Sequence, residues 1–153
     1  MAEKKAAKTA AKKAPAKGKV IEITKFFNVT REKEGVWYEP KINGVPLGLE
    51  LKILGPSAEA VRKASVEYDK VHEKVEELLK KEEYGKALDM EQEALAKRAS
   101  ACVVDIRGKG GNTITVEGKP LVFSTEFTER LFFENGDITG DVLKASINSG
   151  LFK

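Results

Sequence analysis

Apolar and polar side chains alternate from Val20 onward. In VIEITKFF, Ile21 and Ile23, with Phe27 beyond them, fall on one side, which is the period of a half-buried strand. GVWYEP supplies β-favouring residues between Gly35 and Pro40, and Asn43-Gly44 supplies the positive φ angles of a tight hairpin turn. In LGLELKIL, Leu47, Leu49, Leu51 and Ile53 oppose Glu50 and Lys52, the clearest strand of the chain.

The period then changes. GPSAEA stops the strand and opens a helix, with Ser57 as its expected N-cap and Glu59 in its first turn. Val61, Ala64, Tyr68, Val71, Val75 and Leu78 recur at alternating three- and four-residue spacings, an a/d seam on a helix predicted to run to about Tyr84. Gly85 is the predicted interruption. A second helix, about Lys86 to Cys102, repeats at seven through Ala87-Leu88, Ala94-Leu95 and Ala101-Cys102, so the two read as a helical hairpin. VVDI, a Gly-rich RGKGGN loop, TITV and the turn EGKP return the chain to β structure. Ser124 caps a short helix, TEFTERLFFE, that NGD breaks. A last helix, about Ile138 to Asn148, is expected to bury Ile138, Val142, Leu143 and Ile147. The pattern predicts a mainly helical α+β protein: a small antiparallel β portion, a long helical hairpin and two short C-terminal helices, in one domain over residues 20–153.

Composition changes the picture at the N-terminus. Residues 1–19 hold Lys4, Lys5, Lys8, Lys12, Lys13, Lys17 and Lys19 against one Glu, and nothing more apolar than Ala after Met1, so this tail is expected to be disordered. The remaining chain carries 20 Lys and Arg against 23 Asp and Glu, so the net charge of +3 comes entirely from the tail. Such a tail binds nucleic acid non-specifically by counterion release, or serves as a solubilising spacer; it has no Arg to read guanine and no aromatic to stack on bases. The 153 residues contain a single cysteine and no apolar run of membrane-spanning length, so a soluble cytoplasmic protein is expected.

Candidate chemistry is sparse. His72 and Cys102 would form a nucleophilic pair only by meeting across the hairpin, and a solvated histidine with a small buried cysteine is the favoured reading. RGKGGN lacks the GxxxxGK[ST] run into a helix that a phosphate loop needs, and reads as a hairpin loop. No catalytic, metal or cofactor residue is assigned. The seam Val61, Tyr68, Val71, Val75 and Leu78 is either internal core or a surface for a partner helix. Phe132 and Phe133 point about 100° apart on a helix, and with Phe152 they are candidates for an exposed partner contact.

The order from GVPLGLELKILGPSAEAVRKA through LAKRASACVVDI to ITVEGKPLVFSTEFTERLF resembles the tail assembly chaperones of long-tailed (siphovirus-like) bacteriophages over about residues 44–152. The resemblance implies a non-enzymatic protein of the infected host's cytoplasm, absent from the mature virion. Such chaperones coat the aggregation-prone tape measure protein and help recruit tail tube subunits; the apolar seams of the hairpin offer surfaces for long helices and for self-association. A small nucleic-acid-associated protein acting through the tail, and a structural virion protein, are the alternatives.

Overall fold

The computed structural model describes residues 18–153. After a single 3-10 turn at Ile23–Phe26 come α1 (Val29–Glu34), β1 (Val36–Tyr38), β2 (Lys41–Ile42), β3 (Val45–Pro46) and β4 (Leu49–Ile53). The long helices α2 (Glu59–Lys80) and α3 (Tyr84–Ala101) follow, then β5 (Val103–Gly108) and the small hairpin of β6 (Thr115–Val116) and β7 (Lys119–Pro120). The chain closes with α4 (Thr125–Glu134), α5 (Gly136–Ser146) and a 3-10 turn at Ser149–Phe152. This is the mainly helical α+β fold that the periodicity predicts.

β4 is the centre of an antiparallel sheet in the order β1-β4-β5, with Leu51 opposite both Tyr38 and Ile106. Its alternation explains the position: Leu51 and Ile53 are fully buried, whereas Lys52 pairs with Asp105 and Glu50 with Arg107 on the other face. Asn43 and Gly44, at φ 52° and 78°, join β2 to β3 as the sequence predicts, and Glu117 and Gly118 make the same turn between β6 and β7.

The core lies where this sheet meets α3, α4 and α5. Ala96, Ala99 and Cys102 bring α3 close to Leu51, Ile53, Phe132, Val142 and Phe152. Ser100 and Thr128 join α3 to α4 by a buried hydroxyl pair at 2.5 Å, and Thr128 also donates to the Thr125 carbonyl. Ser124 caps α4 as expected, accepting from the Phe127 N–H at 3.1 Å.

Four local expectations are overturned. VIEITKFF forms no strand: the Glu22 carboxylate accepts from the backbone and hydroxyl of Thr24 and starts the 3-10 turn, and no strand pairs with this segment among the described residues. Ser57 does not cap α2. Its N–H donates to the Glu32 carboxylate, buried on α1, which brings negative charge to the helix N-terminus in place of a side-chain cap. The bare Gly55 permits that approach, since a Cβ there would lie 2.4 Å from Glu32 Cγ. Helix α2 ends at Lys80 rather than near Tyr84, because Glu82 at φ 59° directs its own N–H to the Leu79 carbonyl and that of Glu83 to Leu78. Gly85 therefore lies within the first turn of α3 and interrupts nothing. Finally, α5 starts at Gly136 and ends before Ile147, which is 71% exposed, while Ile138 and Val142 are buried and Leu143 is half-buried.

Candidate helix-docking groove

Helix α3 lies between α2 on one side and α4 on the other. The a/d seam of α2 is turned toward α3: Val75 is buried, and Val61, Ala64, Tyr68, Val71 and Leu78 are half-buried. Val75 is thereby spent within the hairpin, while Ala64, Tyr68 and Val71 keep part of their surface in an open groove. The reason is the small-residue face of α3, where Ala87, Ala94 and Ala101 at seven-residue spacing let the two backbones approach.

Phe132 and Phe152 are 1% and 0% exposed, so they too are withdrawn from any partner surface. Phe132 points from α4 into the core beside Ile138 and Val142, and the terminal 3-10 turn folds Phe152 against Gly55, 3.0 Å from where a Cβ would stand there. The Arg31 guanidinium holds this end by donating to the Lys153 carbonyl. Phe133, one residue further round α4, is 39% exposed.

A groove remains open along α3. Its floor is Ala94, Lys97, Arg98 and Ala101; one wall is Ala60, Ala64, Glu67 and Val71 of α2, and Glu129 of α4 stands opposite. This part encloses about 450 Å³. It continues past Lys97 to Met90 and Lys74 toward the hairpin turn, and past Glu129 to Glu126, Arg130 and Phe133 along α4. From Met90 to Ala101 the floor runs about 17 Å at 1.5 Å per residue, the length of three helical turns. Ala94 and Ala101 line the bottom between the stems of Lys97 and Arg98, and the rims mix Lys63, the exposed Lys97 ammonium and Arg130 with Glu67, Glu93 and Glu129. Such a trough accepts the apolar face of a helix and pairs with charges of either sign along its flanks. The recurrence of Ala87, Ala94 and Ala101 was the available sequence signal, but it does not reveal that α4 would add a second wall.

A polar cluster fixes the hairpin beside this groove. Tyr68 donates to Glu91 at 2.6 Å, and its phenol is pushed up to about 12 by burial and by that hydrogen bond. His72 stacks on Tyr68 and sits between two carboxylates, with Nδ1 3.2 Å from Glu91 and Nε2 3.3 Å from Glu76. The hydrogen bond to Glu91, with the charges of Glu91 and Glu76, raises the imidazole pKa above its ordinary value. The Arg98 guanidinium lies 5.0 Å above the Tyr68 ring and donates to Ser65.

The nucleophilic pair does not assemble. Cys102 is buried eleven residues beyond Glu91 along the chain, its thiol donates to the Arg98 carbonyl at 3.4 Å, and burial raises its pKa. The RGKGGN loop is fastened to its neighbours: Lys109 pairs with Glu39 at 2.6 Å and Asn112 donates to the Gly48 carbonyl at 2.9 Å. Among the described residues no three His, Cys, Asp or Glu side chains converge as a metal site, and no helix is long and apolar enough to cross a membrane. Lys19 belongs to an exposed stretch; Lys4, Lys5, Lys8, Lys12, Lys13 and Lys17, with the expected disorder of their segment, lie outside the described residues. Comparisons of the chain with family models, with curated proteins and with solved structures return no match.

Proposed function

We propose that this protein is a non-enzymatic tail assembly chaperone of a long-tailed bacteriophage, acting in the host cytoplasm by holding helical segments of the tape measure protein in the groove along α3. The observation that carries this reading is the groove itself, three helical turns long, with Ala94 and Ala101 in its floor and rims of both charges. A tape measure protein is a very long helix-rich chain, and its unpaired apolar stripes aggregate unless covered. Of the seam assigned from sequence, Tyr68 and Val71 line this groove with Ala64 and are kept as contacts, whereas Val61, Val75 and Leu78 do not line it. Phe133 at the end of α4 is the one C-terminal aromatic retained as a contact. Recruitment of tail tube subunits would use surfaces away from the groove.

The test is coexpression of the full chain with a tape measure protein, followed by affinity capture. A soluble complex is expected, and Ala60→Trp, which fills the groove from an exposed wall position, or Lys97→Glu, which reverses a rim charge, should abolish it without unfolding the chaperone. A tape measure protein equally soluble alone, or one that never copurifies, overturns the reading.

A further inference from the structure

The segment VIEITKFF has the period of a strand but pairs with no strand among the described residues, and Val20, Ile21, Ile23 and Phe27 are left in solvent. Val20 is 98% exposed, Ile21 73%, Ile23 61% and Phe27 69%, and Val29 at the start of α1 is 51% exposed. Elsewhere in the same fold a strand edge stands open. β5 pairs with β4 on one side, and among the described residues no strand pairs with the other. Its neighbour Lys109 donates inward to the Gly48 carbonyl, so by the alternation of an antiparallel ladder Arg107 and Asp105 also face β4 and the backbone of Ile106 faces outward. The Ile106 N–H is held there by the adjacent Asp105 carboxylate at 2.8 Å, a local substitute for a missing strand.

From this we infer that residues 20–24 of one copy add as an antiparallel strand to the open edge of β5 in a second copy. The register is set by Ile23 against Ile106 and Glu22 against Arg107. With Ile23 opposite Ile106, Ile21 falls opposite Gly108 and Thr24 opposite Asp105, while Glu22 falls opposite Arg107. Ile106 packs against the hydrophobic core, so Ile23 extends that apolar face, while Ile21 lies opposite Gly108, over which the Asn112 backbone folds. Glu22 lands on the other face beside Arg107, which already pairs with Glu50 at 2.8 Å, completing a row of alternating charge across three strands. The Ile106 N–H exchanges the Asp105 carboxylate for a backbone carbonyl.

The geometry favours a second copy over the same chain. α1 and β1 hold the segment's C-terminal end at the opposite edge of the sheet, with Glu32 fixed over Gly55 and β4 standing between β1 and β5. Reciprocal exchange closes a twofold dimer, and one-way donation propagates a ring or spiral of copies. The inference does not depend on the groove reading, since it uses neither α2 nor α4.

Light scattering of the full chain across a wide concentration range should show reversible self-association. The donor variant Ile21→Lys/Ile23→Lys and the acceptor variant Arg107→Glu, which sets a carboxylate opposite Glu22, both at exposed positions, should each weaken it by at least about tenfold while circular dichroism stays unchanged. Mixing the two should restore a heterodimer, because the acceptor variant keeps an intact donor and the donor variant an intact edge. The register is checked by mixing Glu22→Cys with Arg107→Cys chains under oxidation, which should give an intermolecular disulfide. A chain that stays monomeric, association unaffected by both variants, or failure of the mixture to associate overturns the inference.

Discussion

Phe132 and Phe133 are adjacent on α4, yet they should differ several-fold in what they contribute to stability. Phe132 is 1% exposed and belongs to the core with Phe152, Val142 and Ile138, so Phe132→Ala removes a fully buried ring and leaves a cavity. Such truncations cost about 3–5 kcal/mol. Phe133 is 39% exposed, and scaling the burial of a full aromatic side chain by the part that is covered gives about 1–2 kcal/mol for Phe133→Ala. Urea unfolding followed by circular dichroism separates the two cases. With a slope of about 2 kcal/mol per molar, Phe132→Ala lowers the midpoint by about 2 M and Phe133→Ala by about 0.5–1 M. Equal losses would mean that α4 is rotated about its axis from the orientation described, and would refute both the core and the groove built on it.

Three further outcomes follow from particular residues. Glu82→Gly should raise stability by up to about 1 kcal/mol, measured by thermal unfolding, because residue 82 closes α2 at φ 59° where a Cβ is disfavoured. Gly108→Ala should cost about 1–3 kcal/mol and release the loop of Lys109–Gly111, seen as faster amide exchange there, because the new Cβ would stand 1.8 Å from the Asn112 carbonyl oxygen. His72 should make the hairpin pH-dependent. Its pKa is raised in the folded chain, chiefly by the hydrogen bond to Glu91, so its contribution is fully present below about pH 6.5 and is lost as pH rises through the raised value. Replacing His72 with Gln should therefore destabilise the protein more at mildly acidic than at alkaline pH, and an equal effect at both refutes the clasp between Glu76 and Glu91.

The groove also alters what a partner contact means in this fold. A stripe spaced for a coiled coil is most simply satisfied by the nearest matching stripe. Here that is the alanine face of α3, nine or more residues along the same chain and joined to it by a turn of only a few residues. Surfaces left for other molecules are those the hairpin cannot cover itself: the trough between α2 and α4, and the edge of β5.

Sequence alone determined the features that depend on local chemistry. β4 was legible from strict alternation, the β2–β3 turn from Asn43-Gly44, α2 and α3 from their seams, and the start of α4 from Ser124, since each is governed by residues within a few positions of one another. The tertiary structure decided whatever depended on distant partners. Ser57 could not be known to yield its N–H to Glu32, twenty-five residues away, nor Gly85 to be passed over because Glu82 takes the left-handed turn. Burial of Phe132 and Phe152 but not Ile147 depends on how α4, α5 and the chain end pack on the sheet. The alternation of VIEITKFF states a preference for β structure, but a strand exists only when another backbone accepts its hydrogen bonds, and no described strand of its own chain pairs with it.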